Sequence, residues 1–120
     1  AYLQQIGAAH LRPGAAAIAF SHSGKSMDTV KALRLAQKAG AVTIAVAGGE
    51  DPVLFRYADV ALGVGGTAQT VYGKAIFSRV ADLAVVDMLY MAVILSDYER
   101  FSHNLEHSVQ VIADRDYPDQ

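Results

Sequence analysis

Ala15-Ala16-Ala17-Ile18-Ala19-Phe20-Ser21-His22-Ser23-Gly24-Lys25-Ser26 is the stretch that decides the fold. Ala15 to Phe20 is an unbroken apolar run, too short for a helix and bounded by turn residues. That combination predicts a strand buried on both faces, the kind that belongs to a parallel sheet. Ser21 to Lys25 then forms a loop, and a helix is expected from Ser26. Ser26 is an N-cap candidate, Asp28 stands in the first turn, Val30, Leu33 and Ala36 recur at helical spacing, and Gly40 supplies the stop. Val42 to Ala47 predicts the next buried strand. A strand, a helix-length crossover and a second strand require parallel pairing in a right-handed βαβ unit. The class is therefore α/β.

Working outward, Ala8 to Leu11 reads as the tail of an opening helix that Arg12-Pro13-Gly14 terminates. Beyond the second strand, Gly48-Gly49-Glu50 is a loop, and Asp51 as N-cap with Pro52 at the first helical position opens a short helix to Tyr57. Val60 to Val64 predicts a third strand, broken by Gly65-Gly66. The rest is helical. A helix from Thr70 to Leu95 is apolar nearly all round, and a second, from Ser96 to Arg115, carries a Ser96–Glu99 capping box and a Phe101, Leu105, Val109, Ile112 stripe. A helix apolar on most sides needs neighbours that a short chain lacks, so a homodimer packed through the Ile76–Leu95 helix is expected. Burial inside one larger subunit is the alternative. Asp87, set among Val86, Met88, Tyr90 and Met91, is expected to find a partner: an arginine, a helix N-terminus or a neighbouring subunit's donor.

Composition narrows the function classes. The chain has 120 residues, one domain's worth, and 52% hydrophobic against 18% charged residues exclude disorder. A net charge of −2 leaves no basic footprint for nucleic acid. The absence of cysteine excludes disulfide scaffolds, thiol catalysis and thiolate metal sites, and fits a reducing, cytoplasmic setting. No run approaches the ~18 apolar residues of a membrane span, and no signal peptide is expected. Because residue 1 is alanine, the chain is expected to be a piece of a longer protein.

The chemistry is expected at the carboxyl end of the first strand, where open parallel sheets bind ligands. Ser21, His22, Ser23, Gly24, Lys25 and Ser26 bring hydroxyls, a glycine, a cation and a helix start together, a composition suited to an anion and above all to phosphate. The same residues approximate G-x-x-x-x-G-K-[ST] with Ala19 for the first glycine. Alanine disfavours the tight turn, Ala19 belongs to the strand, and no strand ends in an aspartate for magnesium, so a nucleotide-binding P-loop is only a remote alternative. His103-Asn104-Leu105-Glu106-His107 spells the inverted zinc-protease signature, but only Asp114, Asp116 and Asp119 follow as a third ligand, and a solvated helix face is the expectation. No metal, no cofactor and no catalytic residue is assigned.

"AFSHSGKSMDTVKALRLAQKAGAVTIAVAG" (19–48) and "DPVLFRYADVALGV" (51–64) resemble a SIS (sugar isomerase, phosphosugar-binding) domain. Its marks are a Ser-x-Ser-Gly loop between strand and helix, a strand after Ala-Gly-Ala, and an Ala-Asp-Val element opening a further strand. "SRVADLAVVDMLYMAVIL" (78–95) narrows the likeness to the effector domain of RpiR-type bacterial transcriptional regulators. The resemblance runs from Leu11 to Arg115 and implies a flavodoxin-like, three-layer α/β/α domain occupying residues 1–120, with two C-terminal helices. It implies that Ser21 and Ser23 bind a sugar phosphate and that Ser26 matches the family's hydroxyl at the helix start. His22 and Lys25 fall at variable positions of the pattern. A complete SIS domain begins with a strand, a Gly-x-Gly-x-Ser turn, a helix and a second strand. None of these is in this chain, so it is expected to be truncated at its N-terminus with the edge of its first strand open. DNA contact is expected only through a helix-turn-helix domain outside this chain. The function implied is effector sensing. An aldose–ketose sugar-phosphate isomerase is the alternative, and its base would come from Glu50, Glu99, His103 or Glu106.

Overall fold

A computed structural model of the chain describes residues 2–64 and 71–113, the second stretch with side chains from Arg79 onward. The chain divides into two compact units, Ala1–Leu83 and Ala84–Gln120. The first holds α1 (Tyr2–Ala9), β1 (Ala16–Ser21), α2 (Met27–Lys38), β2 (Val42–Ala47), a 3-10 turn (Val53–Tyr57) and β3 (Val60–Gly63). The strands lie in the order β1-β2-β3. Both pairings are parallel, with Ala16 opposite Val42, Ser21 opposite Ala47, and Ala47 opposite Gly63. The expected α/β crossover is present, with each strand boundary within one residue of the sequence reading.

Local chemistry explains the boundaries. The Ala15 amide donates to the Arg12 carbonyl at 3.0 Å, and Gly14 has φ +92°, so Arg12-Pro13-Gly14-Ala15 turns the chain from α1 into β1. Proline suits the second position of such a turn and glycine the third. At the end of α2 the amide of Ala41 reaches the Ala36 carbonyl (3.2 Å) and that of Gly40 reaches Gln37 (3.0 Å). This is a Schellman closure, in which Gly40 adopts the left-handed φ of +85° that glycine tolerates at no steric cost.

Leu33 of α2 and Leu54 of the 3-10 turn, both fully buried, pack on Ala45 and Ala47, with Ala17 and Ala19 beside them. Alanines on this face let the helical layer approach closely. The Arg34 guanidinium lies over the Tyr57 ring, 5.8 Å from its centre, which ties the turn to α2. The expectation that β1 is buried on both faces is corrected. Its residues alternate, and Ile18 (49% exposed) and Phe20 (37%) look away from the alanine face. Periodicity cannot separate an edge strand from a central one when both faces are apolar in sequence. Burial on two faces belongs to β2, which has neighbours on both sides.

At the other end of β2, Thr43 is fully buried and closes a polar knot with Asp59. The Thr43 amide donates to Asp59 Oδ2 (2.8 Å), its hydroxyl donates to the Tyr57 carbonyl (2.8 Å), and the Asp59 amide donates to the Thr43 carbonyl (2.8 Å). Asp59 thus starts β3 by holding the beginning of β2, a structural role for the Ala58-Asp59-Val60 element.

In the second unit, α3 (Val71–Ser96) contributes its residues from Ala84 onward, followed by α4 (Tyr98–Ala113). The cap between them differs from the expected Ser96–Glu99 box. Asp97 caps α4, its Oδ1 accepting from the Arg100 amide (3.4 Å) and its carbonyl from Phe101 (3.0 Å). Ser96 is still helical, and its hydroxyl turns back to the Val93 carbonyl at 2.6 Å. Phe101 and Leu105 face Tyr90 and Ile94 across a groove of about 190 Å³. Asp87 is exposed in the single chain, as are Val86, Met88, Tyr90 and Met91, so the premise of burial is not met there. Gly65, Gly66, Thr70, Asp114, Arg115, Asp116 and Asp119 lie outside the described residues, as do the side chains of Lys74, Ile76 and Ser78.

Replacing Asp59 by alanine leaves the Thr43 amide buried without its acceptor, which costs about 1–3 kcal/mol. Urea unfolding is expected to register that loss for Asp59→Ala and a smaller one for Asp59→Asn, which keeps an oxygen at the site.

Candidate functional site

The parallel pairing brings the carboxyl ends of all three strands to one rim. Between the end of β1 at Ser21 and the start of α2 at Met27 the chain closes a short loop, and hydrogen bonds within it set its shape. Ser21 Oγ accepts from the Gly24 amide (3.0 Å) and Ser23 Oγ accepts from the Lys25 amide (3.2 Å). Ser26 Oγ accepts from the Thr29 hydroxyl (3.3 Å). A serine hydroxyl is one donor and two acceptors. In each of these three bonds the loop uses an acceptor, so the O–H protons remain available to an incoming anion.

Ser26 occupies the N-cap position of α2 in extended conformation but makes no side-chain cap, contrary to the role expected for it. Its carbonyl takes the Val30 amide at 2.9 Å. The amides of the first turn of α2 are therefore left without an acceptor from Ser26, at the positive end of the helix dipole. Asp28, the acidic residue of that turn, takes a hydrogen bond from Gln5 of α1 (3.2 Å). Gly24 is buried and has φ +65°. Its α-carbon abuts Pro52, so an added Cβ would stand 2.9 Å from the Pro52 α-carbon. His22 and Lys25 are exposed at the rim.

The P-loop alternative loses its geometry. Ala19 lies within β1, paired with Ala45, and so belongs to the ladder rather than to a phosphate loop. Of the residues considered as a base, Glu50 is exposed on the loop after β2, while Glu99, His103 and Glu106 are exposed on α4 in the second unit. Among the described residues no three His, Cys, Asp or Glu side chains gather as a metal site, and no helix is long and apolar enough to cross a membrane.

The sequence placed a loop at Gly48-Gly49-Glu50, after β2, but not its contact with the serine loop. The Leu54 amide donates to the Gly24 carbonyl at 2.9 Å. Asp51 is not an N-cap: it has φ +47°, Pro52 precedes the 3-10 turn, and the Phe55 amide bonds to the Pro52 carbonyl (3.1 Å). The Gly48-Gly49 doublet and Pro52 were the available signal, readable only as a turn without knowing what they touch. A groove of about 490 Å³ lined by Leu3, Leu11, Ile18, Phe20 and Leu33 lies beside β1, and its lining does not include the serine loop.

Residues 2–92 match the SIS domain family, and the chain belongs to it. An uncharacterised HTH-type transcriptional regulator of Caldanaerobacter subterraneus subsp. tengcongensis is 32% identical over 114 residues, which are 95% of this chain and 40% of that protein. An uncharacterised HTH-type regulator of Haemophilus influenzae is 28% identical over 114 residues, with the same coverage. The chain thus spans about 40% of the length of these curated relatives. Among solved structures, the Vibrio vulnificus NanR protein complexed with ManNAc-6P superposes with a TM-score of 0.82 at 20% identity, covering 98% of this chain and 44% of that one. At that identity the likeness establishes the fold.

Gly24→Ala forces a side chain into the left-handed region, at about 1–2 kcal/mol, and drives it onto Pro52. Chemical denaturation is expected to give a loss of at least that size.

Proposed function

We propose that this chain is the sugar-phosphate-sensing domain of a bacterial transcriptional regulator of RpiR type, acting as one domain in the cytoplasm. Ser21, Ser23 and Ser26, the backbone around Gly24 and the first turn of α2 hold the phosphate, with His22 and Lys25 at the rim. The observation that carries the proposal is the internal pairing of the serine loop: each of its three hydroxyls accepts a bond within the protein, which leaves its proton to donate. Support comes from the HTH-type regulators among its relatives and from the phosphosugar named with NanR. The work is binding. An aldose–ketose isomerase, with Glu50, Glu99, His103 or Glu106 as its base, is the alternative reading.

DNA contact belongs to a helix-turn-helix domain elsewhere in the full-length protein. Homo-oligomerisation through the Ile76–Leu95 helix gives the signal a route. Val80, Leu83, Met88, Met91 and Leu95 are all exposed in the single chain, a set of apolar side chains that a second copy would cover. The ligand acts by favouring one arrangement of that interface over another.

Hydrogen bonds to a charged group are worth about 1.5–3 kcal/mol, and 1.4 kcal/mol is tenfold in affinity. Ser21→Ala and Ser23→Ala are each expected to weaken N-acetylmannosamine 6-phosphate or hexose 6-phosphate binding by tenfold to a hundredfold in calorimetry of the full-length protein. Unfolding should be little changed, and equal affinity in the double variant refutes the assignment. Met91→Glu with Leu95→Glu is expected to shift the sedimenting species towards monomer, and an unchanged oligomer refutes the interface.

A further inference from the structure

Gly48 lies where all three strand ends meet. Its amide donates to the His22 carbonyl at 3.1 Å, between the two serines of the anion loop. A Cβ added to it would stand 2.9 Å from that same His22 oxygen and 2.8 Å from the Val64 oxygen just past β3. Both are backbone atoms, and the Val64 segment is itself fixed by its amide bonding to the Ala47 carbonyl at 2.9 Å. Neither oxygen can swing aside as a flexible side chain would. Gly49 continues the contact, its missing Cβ lying 3.4 Å from the Ser23 carbonyl. Three residues on, Pro52 packs on Gly24 and the buried Leu54 ties its amide to the Gly24 carbonyl. The loop after β2 therefore touches the backbone at His22, Ser23 and Gly24, and none of these contacts uses a serine hydroxyl.

We propose that the loop Gly48–Pro52 is a rigid backing for the anion loop, with Gly48 and Pro52 as positioning residues that set where the Ser21 and Ser23 hydroxyls stand. They touch no ligand. They hold the backbone that aims the donors, so that a phosphate meets a formed cradle rather than ordering one at its own entropic cost. A methyl group at residue 48 displaces the His22 carbonyl, and the serines on either side move with it. This inference rests on the phosphosugar reading for its ligand but not for its geometry, and the two can be tested apart.

The test uses the full-length protein with two readouts, amide hydrogen exchange at Gly24 and Leu54 and affinity for inorganic phosphate and N-acetylmannosamine 6-phosphate. Gly63→Ala is the control, since its added Cβ meets nothing within 4 Å. Gly48→Ala is expected to speed exchange at both amides at least tenfold over the control. It should also weaken both probes by a common factor of ten or more, because the loop grips the group they share. Pro52→Ala, which only removes a contact, should move both readouts in the same direction by several-fold, and it decides the question if Gly48→Ala fails to fold. A purely structural role would lower the unfolding midpoint and leave affinity and local exchange alone, and that result overturns the proposal. If the unsubstituted protein binds neither probe but exchange responds as described, the backing stands and the phosphosugar reading falls.

Discussion

The parallel register of β1 on β2 is the constraint from which the rest follows. Setting Ser21 opposite Ala47 and Ala47 opposite Gly63 ends three strands at one level. Their outgoing loops then leave the sheet side by side. The serine loop has no hydrophobic content of its own to hold it. It is shaped by bonds to its own hydroxyls and by the neighbouring loop, and both depend on the strands stopping together. A register shift of one residue would also turn the alanine face, on which Leu33 and Leu54 pack, towards the other side of the sheet.

At opposite ends of the sheet, polar groups have opposite uses. At the start of β2 the Thr43–Asp59 knot joins donors and acceptors to one another, fixing where β3 begins. At the carboxyl rim the serine oxygens are engaged as acceptors while their protons stay available. The first arrangement gives stability, and the second leaves donors at the rim where we propose that an anion binds.

Most of the fold was legible along the chain because its signals are local. Apolar runs of strand length, Gly40 as a helix stop and Pro13-Gly14 as a turn need no knowledge of distant residues, and the elements they predict are present. The errors are local too, and each has a physical origin. Ser96 and Asp97 are adjacent cap-forming residues, and the aspartate took the cap while the serine satisfied a carbonyl of the preceding helix. Asp51 looked like an N-cap from its place before proline but adopts a left-handed turn instead. The apolar run in β1 said nothing about how many faces would be covered.

By itself the sequence determined the α/β class and the order of elements, and it singled out the serine loop as the expected place for an anion, because periodicity, turn residues and donor chemistry are properties of short segments. Tertiary structure alone decided which strand lies at the edge and which is buried. It also decided that Asp59 braces Thr43, and that Gly48 and Pro52 meet the serine loop at His22 and Gly24. Those facts depend on which backbone atoms come within about 3 Å of each other across the sheet, a hydrogen-bonding distance that only the folded chain creates.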